Sequence, residues 1–254
     1  MNKSLFNLGA VMMGLQASFN SEQYAALQLV ASFSGSLSVL SIILVLAGIC
    51  GSKKKQWNFS SRAIVILLVM NLLFSGAAMF GRALDGNETS CSFQGFIIQF
   101  SGLAIVLWTS VTAYYMYSWV VKRKHAGKID KRVSRDLAVV LLLAAIPSFT
   151  FLFLDYYKVT AMWCWIDSKY EEARFWGFWF LVIFAWTFCV LVLALISGIT
   201  SGKSGVVSTS ALVEKARLSR GETLVFYQLC AYVLILIELI ELIELIELIE
   251  LIGF

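Results

Sequence analysis

Residues 91–121 read CSFQGFIIQFSGLAIVLWTSVTAYYMYSWVV, an apolar run without one charged side chain. Crossing a bilayer takes roughly 20 apolar residues. In lipid the backbone polar groups find partners only within a helix or a closed barrel, so a run this long and continuous predicts a transmembrane helix. Working outward, comparable blocks predict spans near residues 24–50, 62–81, 136–156 and 173–199, and a sixth from 222 onward. The chain is 254 residues long, 59% hydrophobic and 14% charged, with a single proline, which is the composition of an integral membrane protein. The connections run from a few residues to about twenty, too short for a separate soluble domain. The expected fold class is all-α, a polytopic membrane helix bundle. Residues 1–23 form a short N-terminal segment, 24–237 the bundle and 238–254 a low-complexity tail.

Lys and Arg orient the bundle. The first connection and its flanks carry Lys53, Lys54, Lys55 and Arg62, the third Lys122, Arg123, Lys124, Lys128, Lys131, Arg132 and Arg135, and the fifth Lys203, Lys215, Arg217 and Arg220. Opposite them stand Lys3, Arg82, Lys158, Lys169 and Arg174, interspersed with Asp85, Glu88, Asp155, Asp167, Glu171 and Glu172. The cytoplasmic excess of Lys and Arg predicts odd-numbered connections inside and an extracellular N-terminus, in a protein of the plasma membrane. The formal net charge of +4 then belongs to loops facing anionic membrane lipid, and no nucleic-acid motif competes for it.

This sidedness sorts the five cysteines. Cys91 and Cys164 share the oxidising side, whereas Cys50 lies at an inner helix end and Cys189 and Cys230 lie within spans. Cys91 and Cys164 can pair there or remain two small hydrophobes. Of three glycosylation sequons, Asn58 falls on the cytoplasmic side, which leaves Asn2 and Asn87 as candidates. Residues 5–17 read as an outer tail on the bilayer surface or as a signal peptide without a clear cleavage site. His125 is the only histidine, so no metal cluster has ligand spacing. No Ser/His/Asp set or phosphate loop appears either, and the sequence points to neither an enzyme nor a cofactor.

Polar residues inside spans are the candidates for function. Asn71, mid-span with Ser75 one turn on, reads as a hydrogen bond to a neighbouring helix. Ser32, Gly35 and Ser36 read as small-residue packing. Gln94, Ile98 and Ser101 fall on one helical face near Cys91, with Gln99 beside them, and point either to a pocket or to interhelical bonding. Arg82 reads as a residue paired with Asp85 or as an anion contact at the pocket mouth. Trp163, Trp165, Phe175, Trp176, Phe178 and Trp179 gather at one interface as an aromatic belt, those beside Cys164 forming a candidate lid. The candidate ligand contacts are therefore Arg82, Gln94, Ile98, Gln99, Trp163 and Trp165.

Cys91-x-x-Gln94-Gly95-Phe96-x-x-Gln99, followed by Trp108, Tyr114-Tyr115 and Trp163-Cys164-Trp165-Ile166, resembles the cyclic AMP receptor-like family of seven-helix G-protein-coupled receptors, over roughly residues 24–235. The resemblance implies that Cys91 and Cys164 form a disulfide joining the third helix to the loop after the fourth. It also implies an extracellular ligand and a heterotrimeric G protein held by the basic inner segments, through Lys122, Arg123, Lys124, Arg132, Arg135, Lys215 and Arg217. No Asp/Glu-Arg-Tyr box closes the third helix, which ends Tyr117-Ser118-Trp119-Val120, so the rhodopsin-type lock does not carry over.

The tail departs from the pattern. Glutamates at 238, 241, 244, 247 and 250 recur every three residues, a period that drifts round a helix and builds no single face. Each intramembrane carboxylate costs about 2.5–3.5 kcal/mol. The repeat reads as a low-complexity replacement of the end of the sixth span, with no seventh to follow. The expectation is thus a ligand-binding receptor coupled to a G protein. The alternatives are a truncated, non-signalling receptor remnant and a transporter or channel, the last of which calls for paired intramembrane charges or inverted repeats that the spans lack.

Overall fold

A computed structural model describes residues 21–51, 59–81, 86–121, 126–160 and 163–201. Among them are five helical segments long and apolar enough to cross a membrane. Four are α1 (Ser21–Gly51), α2 (Phe59–Ala78), α3 (Glu88–Val120) and α4 (Ala126–Phe153). The fifth span combines a short helix α5 (Glu171–Arg174), a π-helical turn (Phe175–Trp179) and α6 (Phe180–Ser201). Between α4 and α5 the chain forms an antiparallel hairpin of β1 (Tyr157–Val159) and β2 (Cys164–Ile166), then a 3-10 turn at Ser168–Tyr170. The expected helical bundle is therefore present, with a small hairpin where the sequence suggested only a loop. The expected sixth span, the Glu-Leu-Ile repeat and residues 1–20 of the N-terminal segment lie outside the described residues, and residues 21–23 are the first turn of α1.

α3 is the axis of the bundle. Half of its span is buried, against 22% for those of α2 and α4, and it packs against α2, α4 and the fifth span. Asn87 caps its start by accepting from the Ser90 N–H at 3.1 Å, and Glu88 places a negative charge on the first turn, where the helix dipole favours it. The buried Trp108 donates its indole N–H to the Ala63 carbonyl of α2 at 3.1 Å, and packs with Tyr115, Val133 and Val140. Ser110 donates to the Ala185 carbonyl of α6 at 3.3 Å. α1 approaches α2 through Gly35, where a Cβ would stand 2.9 Å from that of Met79.

Two expectations change here. α4 starts at Ala126, ten residues before the predicted 136, so much of the basic third connection is helix. Val133 in the extension continues the face of Leu137 and Val140 against Trp108 and Tyr115, while Lys131, Arg132 and Arg135 stay exposed. Asn71 donates to the Leu67 carbonyl of its own helix at 2.8 Å, the local bond an amide makes one turn back, instead of crossing to a neighbour.

Candidate functional site

At the hairpin end the strands pair Tyr157 with Ile166, Lys158 with Trp165 and Val159 with Cys164. That register places Cys164 beside the first turn of α3, where it is disulfide-bonded to Cys91 with the Cα atoms 5.3 Å apart. Both cysteines are buried. α4 reaches the hairpin through a tight turn in which Asp155 has φ 53°, a left-handed conformation that Asp tolerates better than most residues. Lys158 donates to the Asp155 carboxylate at 2.7 Å, and that bond raises its pKa.

Tyr157 anchors β1. Its ring lies against the backbone of Gly95, where a Cβ would come within 2.7 Å of Cδ1, and its hydroxyl donates to the Ser148 carbonyl of α4 at 3.1 Å. Burial pushes the tyrosine pKa well above its usual range, so the hydroxyl stays a donor. The glycine of the Cys-x-x-Gln-Gly segment is thus required by close approach of a ring.

Two buried glutamines join the hairpin to the helices. Gln94 donates through Nε2 to the carbonyls of Ala77 and Gly81, each at 2.9 Å, and accepts through Oε1 from the Cys164 N–H at 3.2 Å. Gln99, fully buried, donates to the Gly177 carbonyl in the π-helical turn at 2.9 Å and accepts from the Trp165 indole at 2.8 Å. Each amide therefore uses both its nitrogen and its oxygen inside the protein. Gly177 is held close as well, since a Cβ there would run into the Phe151 ring.

Trp165 is enclosed on several sides. Its ring meets Phe178 and Trp179 edge-on, with centroids 5.2 and 6.4 Å away, and the Arg174 guanidinium lies 5.4 Å from its centroid. Arg174 donates through Nε to the Ile166 carbonyl at 2.7 Å and also through Nη2. Trp163 meets Phe74 of α2 edge-on at 6.5 Å. The result is a roof of hairpin, disulfide and aromatic rings over the ends of α2, α3 and the fifth span.

Of the residues singled out in the sequence, the structure brings Gln94, Ile98, Gln99 and Ser101 together as buried side chains on α3, with Trp165 on Gln99. Arg82 lies outside the described residues, directly after Gly81, whose φ of +49° and carbonyl bond to Gln94 fix the preceding backbone. Asn87 is exposed and serves as a helix cap, while Asn2 lies outside the described residues. At the opposite, basic end, Arg132 and Arg135 are exposed on α4. Lys122, Arg123, Lys124, Lys215 and Arg217 lie outside the described residues. The sequence reading missed Tyr157, Arg174 and Gly177. The available signals were a charged residue at the head of a span and a glycine interrupting the aromatic run 175–180. Among the described residues, no three His, Cys, Asp or Glu side chains gather as a metal site.

The chain matches, over residues 15–249, the family model described as slime mold cyclic AMP receptor. It is 28% identical over 130 residues to the G-protein coupled receptor 157 of Homo sapiens, an overlap of 47% of this chain and 38% of that protein. The Mus musculus protein of the same name is also 28% identical over 130 residues, covering 47% and 39%. The matched region therefore spans under two-fifths of these relatives' length.

Proposed function

The chain belongs to the slime mold cyclic AMP receptor family, a family of receptors of the G-protein-coupled type and not of enzymes, and from that premise we propose that it binds an extracellular ligand beneath the hairpin and passes the signal to a heterotrimeric G protein. The observation that carries the reading is the clamp at Gln94 and Gln99. These two side chains, little more than one helical turn apart, join α2, α3, β2 and the fifth span, so a ligand that shifts the hairpin acts on three helices together. In this reading the glutamines are struts, and the ligand contacts are Trp163, Trp165 and Arg82 at the mouth, with Ile98 on the α3 face below. The disulfide suits the oxidising, extracellular side. The N-terminus then lies outside, the membrane is the plasma membrane, and Lys122, Arg123, Lys124, Lys215 and Arg217 face the G protein.

The family description names cyclic AMP, which makes it the first probe. In membranes carrying the chain and a heterotrimeric G protein, cyclic AMP should accelerate guanine-nucleotide exchange. The paired substitution Cys91→Ser and Cys164→Ser should abolish that response at equal surface expression. Exchange that ignores the probe and the disulfide alike would refute the proposal.

A further inference from the structure

The early start of α4 turns basic loop residues into a patterned helical face. With 3.6 residues per turn, Lys131, Arg132 and Arg135 fall within an arc of about 100°, and Val133, Leu137 and Val140 fall on the opposite side. That opposite side packs into the core, whereas the three cations are exposed. Arg135 pairs with Asp136 at 2.9 Å, and Asp136 also accepts from the Tyr115 hydroxyl. Among the described residues, Lys131 and Arg132 form no ion pair, although Arg132 is close enough to Asp136 to act on it electrostatically.

The rest of α4 shows where this face looks. Val139, Leu142, Leu143, Ile146, Phe149 and Phe153 are all exposed. Continuing the same helical count, they fall within about 120° of one another, on the side that carries the cations. One stripe thus runs apolar from Phe153 inward and turns cationic at its end. At 1.5 Å per residue, the roughly 30 Å hydrocarbon layer takes about 20 residues of helix, which carries the stripe from Phe153 to the level of Val133. Lys131, Arg132 and Arg135 bracket that level. They are therefore at phosphate depth and on the lipid-facing side of the helix, a place that suits a head group better than a protein docked beneath the bundle.

We propose that Lys131, Arg132 and Arg135 form a docking face for the head groups of anionic phospholipids. The guanidinium fork of Arg132 and the ammonium of Lys131 supply the donors that phosphate oxygens accept. Assignment to the inner leaflet rests on the orientation proposed above, but the binding itself does not. This separates the face from the basic connections assigned to the G protein and moves Arg132 and Arg135 out of that group.

The test uses the full chain reconstituted in bilayer discs of phosphatidylcholine alone or equimolar with phosphatidylserine. Lipid retained per protein is counted by native mass spectrometry. The double substitution Lys131→Gln and Arg132→Gln leaves the Arg135, Asp136 and Tyr115 contacts in place. It should lower phosphatidylserine retention on the order of tenfold and leave phosphatidylcholine unchanged. Lys158→Gln with Lys169→Gln, at the hairpin end, should leave both unchanged. Unaltered phosphatidylserine retention in the first variant overturns the proposal, as does an equal fall in the second. Intact retention with lost G-protein nucleotide exchange also overturns it, and assigns the face to a protein partner.

Discussion

At Gly95 a methyl group would stand 2.7 Å from Cδ1 and 3.0 Å from Cβ of Tyr157, closer than packed atoms approach. Gly95→Ala should therefore push the hairpin off α3 and lower stability by about 1–3 kcal/mol. Gly48 is the contrast: among the described residues, an added Cβ there would meet no atom of another element within 4 Å, so Gly48→Ala should raise stability by up to about 1 kcal/mol through helix propensity. Thermal unfolding of the two variants in one detergent would show shifts of opposite sign. Gln99→Leu leaves the Trp165 indole and the Gly177 carbonyl without their partner, at a cost of about 1–2 kcal/mol in the same assay. No measurable loss would mean that Gln99 is not a strut. In the sequence, these residues are visible as a polar and glycine pattern in an apolar run, and Gln94, Ile98 and Ser101 are correctly placed on one face. Their partners are not visible. The carbonyls of Ala77, Gly81 and Gly177 are acceptors only because three helix segments converge there.

Among the elements, the hairpin gains most from the disulfide. Cys91 and Cys164 are separated by 73 positions in the chain, and closing a loop of that size restricts the unfolded chain by up to on the order of 4 kcal/mol. The bilayer already confines the spans between them, so the measured effect should be smaller. Reduction should lower the melting temperature of the wild type and leave the Cys91→Ser, Cys164→Ser chain unmoved; equal shifts in both would place the effect elsewhere. The five spans are legible because hydrocarbon demands long apolar runs. The hairpin is not, since Tyr157–Val159 and Cys164–Ile166 are three residues each, shorter than any periodicity can mark. The π-helical turn lies in the aromatic run Phe175–Trp179, which reads the same at either helical period. The start of α4 hides behind its charges, although Val133, Leu137 and Val140 carry the helical spacing that continues it.

For the whole molecule, the sequence reveals the membrane class but not which helix is central. Lipid-facing and protein-facing sides of a span are both apolar, so hydropathy alone cannot single out α3 as the axis. The Cys91–Cys164 disulfide makes the hairpin a covalent roof, and the proposed receptor needs that roof to face the outside of the cell. Replacing Cys50, Cys189 and Cys230 by alanine leaves only this pair, and both can be followed in intact cells with a membrane-impermeant maleimide. The expected result is no labelling until a membrane-impermeant reductant is added, and labelling at both cysteines afterwards without permeabilisation. Labelling before reduction, or only after the membrane is opened, would contradict it.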